Sequence, residues 1–527
     1  MGGKILQKKN NLYTCFPEKY KNLRLEKKKQ QACCLLISSL IWLGHSLQSQ
    51  SSHYAEILSS DSKSVIIQKA ANVSPSAKQL AWQKMELTAF LHFGINTFTN
   101  REWGDGKEDP GLFNPTQLDT RQWVKTCKEA GMKLIILTAK HHDGFCLWPS
   151  QYTAHSVKNS PWKNGQGDVV KDLADACREF GMKLGVYLSP WDRNSSIYGT
   201  EAYNDYFVNQ LTELLTNYGE VAEVWFDGAN GEGPNGKKQV YDWQRYYQTI
   251  RKLQPDAVIA IMGPDVRWVG TESGYGRDTE WSVVPASMQD QDEIAAKSQQ
   301  QTGTFRPKID PMAEDLGSRE KLYGADGLAW YPSEVDVSIR PGWFYHPDQD
   351  DKVKSVEKLL DIYYSSVGKN SLLLLNIPPD TRGLIHENDA NILKEWRQAI
   401  EATFKTNLAA NARIKGVKKM GQLLDNSLDT YHRGKATKQM YRIKLDEPKT
   451  FNRLVLQENI SLGQRVEAFK LEAKVDGKWR EITEGTTIGY KRILRFPELT
   501  AQQLKLSILE TRARPALAEF GLYRSAQ

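Results

Sequence analysis

The sequence predicts an α/β barrel of the (β/α)8 type followed by an all-β module. Three observations carry this. From about residue 80, short apolar runs alternate with segments of helical spacing over roughly 300 residues. Two helix ends, "KEAGMKLIIL" and "REFGMKLGVY", are near-copies about 50 residues apart. After about residue 405 the pattern changes to strict strand alternation, broken by turn signals such as Asp476-Gly477. Strands alternating with helices build right-handed βαβ units, and about eight of them point to a closed barrel rather than an open sheet.

In chain order, "ELTAFLHFGINTF" reads as a strand, "TRQWVKTCKEAG" as a helix and "MKLIILTAKHHDGF" as a strand. "DVVKDLADACREFG" is a helix and "MKLGVYLSPWD" the next strand. Gly131 and Gly181 serve as helix-ending glycines. A helix near 201–218, the strand "AEVWFDGAN", a helix near 239–253 and "AVIAIMGPDVRWVG" follow. "DTEWSVV", "DVSIRPGWFYH", a helix near 351–367 and "SLLLLNIPPDTRG" complete the set. Residues 286–330 are polar and Gly-rich and read as a long loop or insertion. The chain divides into an export segment (1–50), a (β/α)8-like catalytic domain (75–404) and a C-terminal β-sandwich (405–527), which either binds carbohydrate or buttresses the barrel. No G-x-G-x-x-G follows the first strand, so a dinucleotide fold lacks support.

The formal charge of +7 is local. Residues 1–30 hold nine Lys/Arg and two acids, which leaves 61 of each sign elsewhere. The body has no basic field for nucleic acid. The basic leader precedes the apolar run "ACCLLISSLIWLG" and then "HSLQSQSS", the pattern of a secretory signal. The run is too short to span a bilayer comfortably, so no stable membrane span is expected once it is removed, and the product is periplasmic, secreted or at the cell surface. The leader is long for a signal, which suggests translation starting near Leu23 or Leu25. Of six cysteines, Cys15, Cys33 and Cys34 lie in or before the signal. Cys127, Cys146 and Cys177 form no disulfide framework or zinc ribbon and read as buried free thiols.

A barrel carries its chemistry where its strands end. The apolar runs here end in polar or aromatic residues repeatedly: His92 and Asn96, with Glu102 and Trp103 beyond; His141, His142 and Asp143; Tyr187, Trp191 and Asp192; Asp227; Arg267, Trp268 and Glu272; Arg340, Trp343 and His346. So many endings in phase argue for one polar, aromatic pocket. Asp227 in "AEVWFDG" is the sharpest, a carboxylate at the mouth of an apolar strand, although a capping or loop role also fits it. Glycoside hydrolysis needs a second carboxyl, for which Glu272 and Glu280 are candidates. Adjacent His141 and His142 lack the His-x-His spacing of barrel metal sites. Neighbouring strand residues face opposite sides, so both could face the pocket only if the strand has ended or bulged. No G-x-S-x-G elbow is present.

These residues resemble the α-L-fucosidases of glycoside hydrolase family 29. The matching pieces are "FLHFGINTF", "REWGDG", "FNPTQLDTRQWVKTCKEAGMKLIILTAKHHDGFCLWPS", "YLSPWDR", "VWFDGA", "RWVGTESG" and "PGWFYH", in family order over about 270 residues. The resemblance implies a retaining mechanism with Asp227 as nucleophile. It implies Glu272 as acid/base, since "RWVGTE" resembles the "RWVGNE" of the branch that cleaves α-1,3/1,4-linked fucose. Thr271 departs from the usual Asn, and Glu280 is the reserve. It further implies fucose contacts at His92, Glu102, Trp103, His141, His142, Tyr187 and Trp343, a fucosylated glycan as partner, and no cofactor or metal. A same-fold glycosidase for another sugar and an inactive carbohydrate-binding relative are the alternatives.

Overall fold

Side-chain alternation along the apolar runs decides which residues fill the barrel and which meet the helices. The computed structural model describes residues 52–291, 315–417 and 420–525. The 1–50 leader and the proposed start near Leu23 or Leu25 lie outside them. Eight parallel strands form the central sheet: β1 (Leu87–Leu91), β2 (Leu134–Lys140), β3 (Lys183–Leu188), β4 (Glu223–Phe226), β5 (Val258–Ile261), β6 (Arg267–Trp268), β7 (Ser333–Ser338) and β8 (Leu372–Asn376). Their hydrogen-bonded order is β5-β4-β3-β2-β1-β8-β7-β6. Phe90, Leu134, Ile136, Tyr187, Trp225 and Leu374 form one interior cluster. Their neighbours Leu91, Ile135, Leu137, Val186, Phe226 and Leu375 join the outer cluster with the helices. Period-two alternation thus builds both layers of the barrel.

The barrel is nearly closed. Only residues 262–266 link β5 to β6, and no helix lies between them. Parallel neighbours need a crossover of about a dozen residues, so β6 cannot pair with β5 and pairs with β7 instead. This corrects the sequence reading, in which "DTEWSVV" supplied the sixth strand. Val283–Pro285 belongs to a separate three-stranded antiparallel sheet with Tyr54–Glu56 and Gly327–Trp330. The polar stretch from 286 is not all loop either, since it contains a helix at Arg319–Tyr323.

The helices start and stop where their ends can be satisfied. In α1 (Thr120–Glu129), Asp119 accepts from the backbone of Arg121 and Gln122. In α2 (Val169–Phe180), Asp168 accepts from Lys171, and Gly181 closes the helix in the left-handed region at φ 65°. Then follow α3 (Glu201–Asn217), α4 (Trp243–Leu253), α5 (Val356–Ser365) and α6 (Glu387–Phe404), the last unforeseen in the sequence. Cys127, Cys146 and Cys177 are free and buried, as expected. No helix among the described residues is long and apolar enough to cross a membrane.

Beyond α6 a seven-stranded antiparallel sheet encloses its own apolar core. Two 20-residue strands, Gln439–Glu458 and Arg492–Thr511, pair along their length with register shifts. The module meets the barrel through polar contacts. Gln464 accepts from the Ser282 backbone N–H (2.8 Å) and donates to the Glu280 carbonyl (2.9 Å). Asn370 accepts from the Tyr490 N–H at 2.7 Å, and the Arg512 guanidinium lies 3.3 Å from the Trp281 ring centre.

Candidate active site

The adjacent histidines owe their placement to a break in strand register. The β2–β3 ladder shifts between Thr138 and Lys140, and β2 stops at Lys140. Lys140 turns away from the barrel mouth and is fully buried against α3, its ammonium bonded to Asp192 (3.1 Å) and Gln210 (2.9 Å). His141 and His142 then lie on the same side, ring centres 4.1 Å apart, with His141 stacked on Tyr187 at 5.7 Å. An irregular strand end is the condition under which both imidazoles can face one pocket.

Asp227 follows directly on β4. Its Oδ2 accepts from the Tyr187 hydroxyl at 3.2 Å, and its Oδ1 accepts from the Ala229 N–H at 2.7 Å. The Nε2 of His142 lies 3.8 Å from Oδ2, while its Nδ1 is bonded to Ser189 Oγ at 2.7 Å. The Asp227 side chain stays 28% exposed, so a ligand can reach it. Burial pushes His142 below the ordinary imidazole range, against the pull of the Asp227 carboxylate. Burial also takes His92 down to about 3, and His141 falls well below its ordinary value for the same reason. All three imidazoles are neutral near pH 7, when each ring has one donor and one acceptor.

Glu272 stands on the segment after β6. Its Oε2 accepts from the Trp343 indole N–H at 3.2 Å. Desolvation by the surrounding protein raises its pKa above that of an ordinary glutamate, and the carboxylates of Asp227 and Glu102 add to the rise. Glu102 is held by the backbone N–H groups of Trp343 (2.8 Å) and Phe344 (3.3 Å) and by His346 Nε2 at 2.6 Å. Asn376, at the end of β8, faces His92 Nδ1 at 2.9 Å and donates to the Trp343 carbonyl at 2.8 Å. The ends of β1, β6, β7 and β8 are thereby tied into one cluster.

The reserve carboxyl is elsewhere. Glu280 is 1% exposed and paired with Arg267 and Arg277, and its backbone N–H donates to Thr487 Oγ1 of the C-terminal module at 3.2 Å. A carboxylate neutralised by two guanidiniums under a domain junction has no access to a sugar. Of the two candidates, the geometry brings only Glu272 to the pocket.

Trp103 and Glu102 ride on a loop clamped over the β2 end. Asn96 donates to the Glu102 carbonyl (3.3 Å) and to Asp143 (3.1 Å), Arg193 donates to the Gly104 carbonyl, and Asn194 donates to that of Gly106 at 2.8 Å. Burial holds Asp143 up at about 7. Trp103 is 54% exposed and meets Trp191 edge-on at 5.7 Å and His142 at 5.6 Å. An aromatic face left open beside a carboxylate suits the apolar face of a sugar.

His92, Glu102, Trp103, His141, His142, Tyr187, Asp227, Glu272 and Trp343 therefore converge, as their positions at strand ends suggested. The sequence reading named Asn96 and His346 as strand endings without giving them a place in the site. It passed over Trp225, which stacks on Tyr187 at 5.3 Å, as well as Asp336 and Asn376. Asn376 was findable, since "LLLLN" repeats the polar ending of the other runs. Trp225 sits inside an apolar run, and Asp336 is one of several polar residues alternating along "SEVDVS", so neither carries such a signal.

A (β/α)8 barrel with two carboxyls, neutral imidazoles and aromatic walls at its strand ends is built as a glycoside hydrolase. The α-L-fucosidase family model matches residues 75–401, and an F5/8 type C domain matches 405–520. Alpha-L-fucosidase 1 of Arabidopsis thaliana is 43% identical over 465 residues, covering 85% of this chain and 87% of its own. A Bacteroides ovatus crystal structure superposes with a TM-score of 0.80 at 55% identity, covering 90% of this chain and 78% of that one. A Ruminococcus gnavus family 29 fucosidase in complex with fucose gives 0.75 at 32% identity, covering 86% and 95%. The chain belongs to the α-L-fucosidase family, glycoside hydrolase family 29.

Proposed function

We propose that the protein is an exo-acting, retaining α-L-fucosidase in which Asp227 is the nucleophile and Glu272 the acid/base. The observation that carries this is the pairing of Asp227, fixed by Tyr187 and Ala229, with Glu272, fixed by Trp343 and pushed toward its protonated form. Asp227 attacks C1 of the fucosyl residue while Glu272 gives its proton to the departing glycosidic oxygen. Once Asp227 is esterified, its charge is gone and the pKa of Glu272 falls. Glu272 then takes a proton from the water that attacks C1, and the product keeps its configuration. Two inversions make one retention, which needs the carboxyl groups about 5 to 5.5 Å apart.

His92, His141, His142, Glu102 and Tyr187 hold the sugar hydroxyls in this account, and Trp103 and Trp343 cover its apolar face. His92 has Nδ1 tied to Asn376, which leaves Nε2 for a hydroxyl. The α-1,3/1,4 preference rests on "RWVGTE". There Thr271 Oγ1 bonds Ser273 Oγ at 2.6 Å and accepts from the Ser273 N–H at 3.2 Å, making a local turn that presents Glu272. The C-terminal module acts as a buttress, and residues 1–50 direct export. Hydrolysis of a panel of fucosylated oligosaccharides tests the assignment. Release of fucose from Lewis-type trisaccharides ahead of α-1,2-linked ones is expected. Faster cleavage of the α-1,2 linkage overturns the linkage preference, and release of galactose but no fucose from any substrate overturns the activity.

A further inference from the structure

The barrel interior holds carboxyls that the reaction above does not use. Glu223 opens β4 and Glu334 is the second residue of β7, and both are fully buried. The two carboxyls act on each other's charge across the barrel, and one oxygen of each, Glu223 Oε1 and Glu334 Oε2, is buried without a hydrogen-bond donor. The Glu223 Oε2 accepts from the Trp82 indole at 2.9 Å, and the Glu334 Oε1 accepts from the Trp225 indole at 2.7 Å. Two interacting carboxyls this deep cannot both ionise, so at least one keeps its proton. Burial accordingly raises Glu223 to about 7 and holds Glu334 well above the carboxylate range. A leucine pair would fill the same space without that cost, which points to a task for the polar pair.

The contacts continue toward the mouth. Trp225 sits on β4 two residues before Asp227, facing the interior. Its ring lies nearly parallel to Tyr187, centres 5.3 Å apart and planes 24° from each other. The Tyr187 hydroxyl donates to Asp227 Oδ2. An indole has only one hydrogen-bonding atom, so the acceptor on Glu334 sets the rotation of the plate against which Tyr187 rests. We propose that Glu334 is a positioning residue for the nucleophile, acting through Trp225 and Tyr187 to hold the hydroxyl on Asp227. This rests on the reading of Asp227 as nucleophile.

Glu334→Met fills the volume without an acceptor, and Glu334→Gln restores one through its amide oxygen. On an aryl fucoside, Glu334→Met is expected to lower kcat about tenfold with KM within about twofold, while Glu334→Gln stays within about threefold of the parent. In a Tyr187→Phe background the Met substitution is expected to add less than about twofold, because the hydroxyl it would misplace is already absent. Equal losses in both backgrounds, or a Gln variant as impaired as the Met variant, overturn the proposal. If Glu334→Met does not fold cooperatively, Trp225→Phe takes its place, keeping a ring but losing the N–H. Parental kcat in that variant also overturns it. Asp227→Ala is the control for the underlying reading: retained turnover there refutes the nucleophile, whereas lost turnover with an unimpaired Glu334→Met refutes only the positioning role.

Discussion

Individual residues decide the chemistry. In the proposed reaction Asp227 supplies the attacking oxygen, so Asp227→Ala should lower kcat by roughly 10³-fold or more, about 4 kcal/mol of barrier. Added azide should restore turnover of an aryl fucoside by attacking C1 from the vacated space and displacing the aryl group, with fucosyl azide as product. Loss without rescue in a folded variant would count against attack by Asp227. Glu272→Gln should cost about 10²–10⁴ on a natural glycan and far less on an aryl fucoside with a good leaving group, because only the first needs a proton donor. The pH dependence follows with a definite sign. Glu272 as the proposed acid acts protonated, and its pKa is raised, so the alkaline limb of kcat/KM should lie above the ordinary glutamate value of about 4.3. The Glu102 carboxylate contributes to that rise, so Glu102→Gln should move the limb to lower pH. A limb that stays in place or moves up would show that Glu102 does not act electrostatically on the acid.

At the scale of elements, the pocket depends on departures from regular strand and helix geometry. The shift between Thr138 and Lys140 is what lets two consecutive imidazoles serve one site. The loop carrying Glu102 and Trp103 depends on Gly104, where an added Cβ would come within 2.5 Å of Glu108 Oε1, 2.7 Å of Asn96 Oδ1 and 2.8 Å of the Asp143 Cβ. Gly104→Ala should therefore push the loop outward and raise KM about tenfold, with a smaller change in kcat. Unchanged kinetics would show that the loop is not part of the site. What was legible in the sequence follows the same division. Strand ends announce themselves, because an apolar run stopping at His92 or Asp227 breaks a pattern. A bulge, or the missing helix between β5 and β6, follows from chain length and register. For that reason "DTEWSVV" was read as the sixth strand, whereas "RW" at 267–268 is too short to register as one. Glu280 and Glu272 look alike as letters, and only folding places two arginines on the first.

In the whole molecule the barrel and the C-terminal module share buried polar contacts. Gln464, Tyr490 and Arg512 reach groups around Glu280, Asn370 and Trp281 that would otherwise be unpaired or exposed. Lys491 also pairs with Glu86, just before β1. Each buried polar group left without its partner costs about 1–3 kcal/mol. Ending the chain at residue 404 should accordingly yield a barrel that unfolds at markedly lower temperature or aggregates, and a truncated barrel as stable as the full chain would refute the buttress. The central step of the proposed reaction is a covalent bond at Asp227. The most direct measurement is peptide mass spectrometry after incubation with 2-deoxy-2-fluoro-fucosyl fluoride, which slows release of the intermediate more than its formation. The account predicts a fluorofucosyl ester on Asp227, within "EVWFDGA". Attachment to any other residue, or turnover with inverted configuration and no attachment, would contradict it.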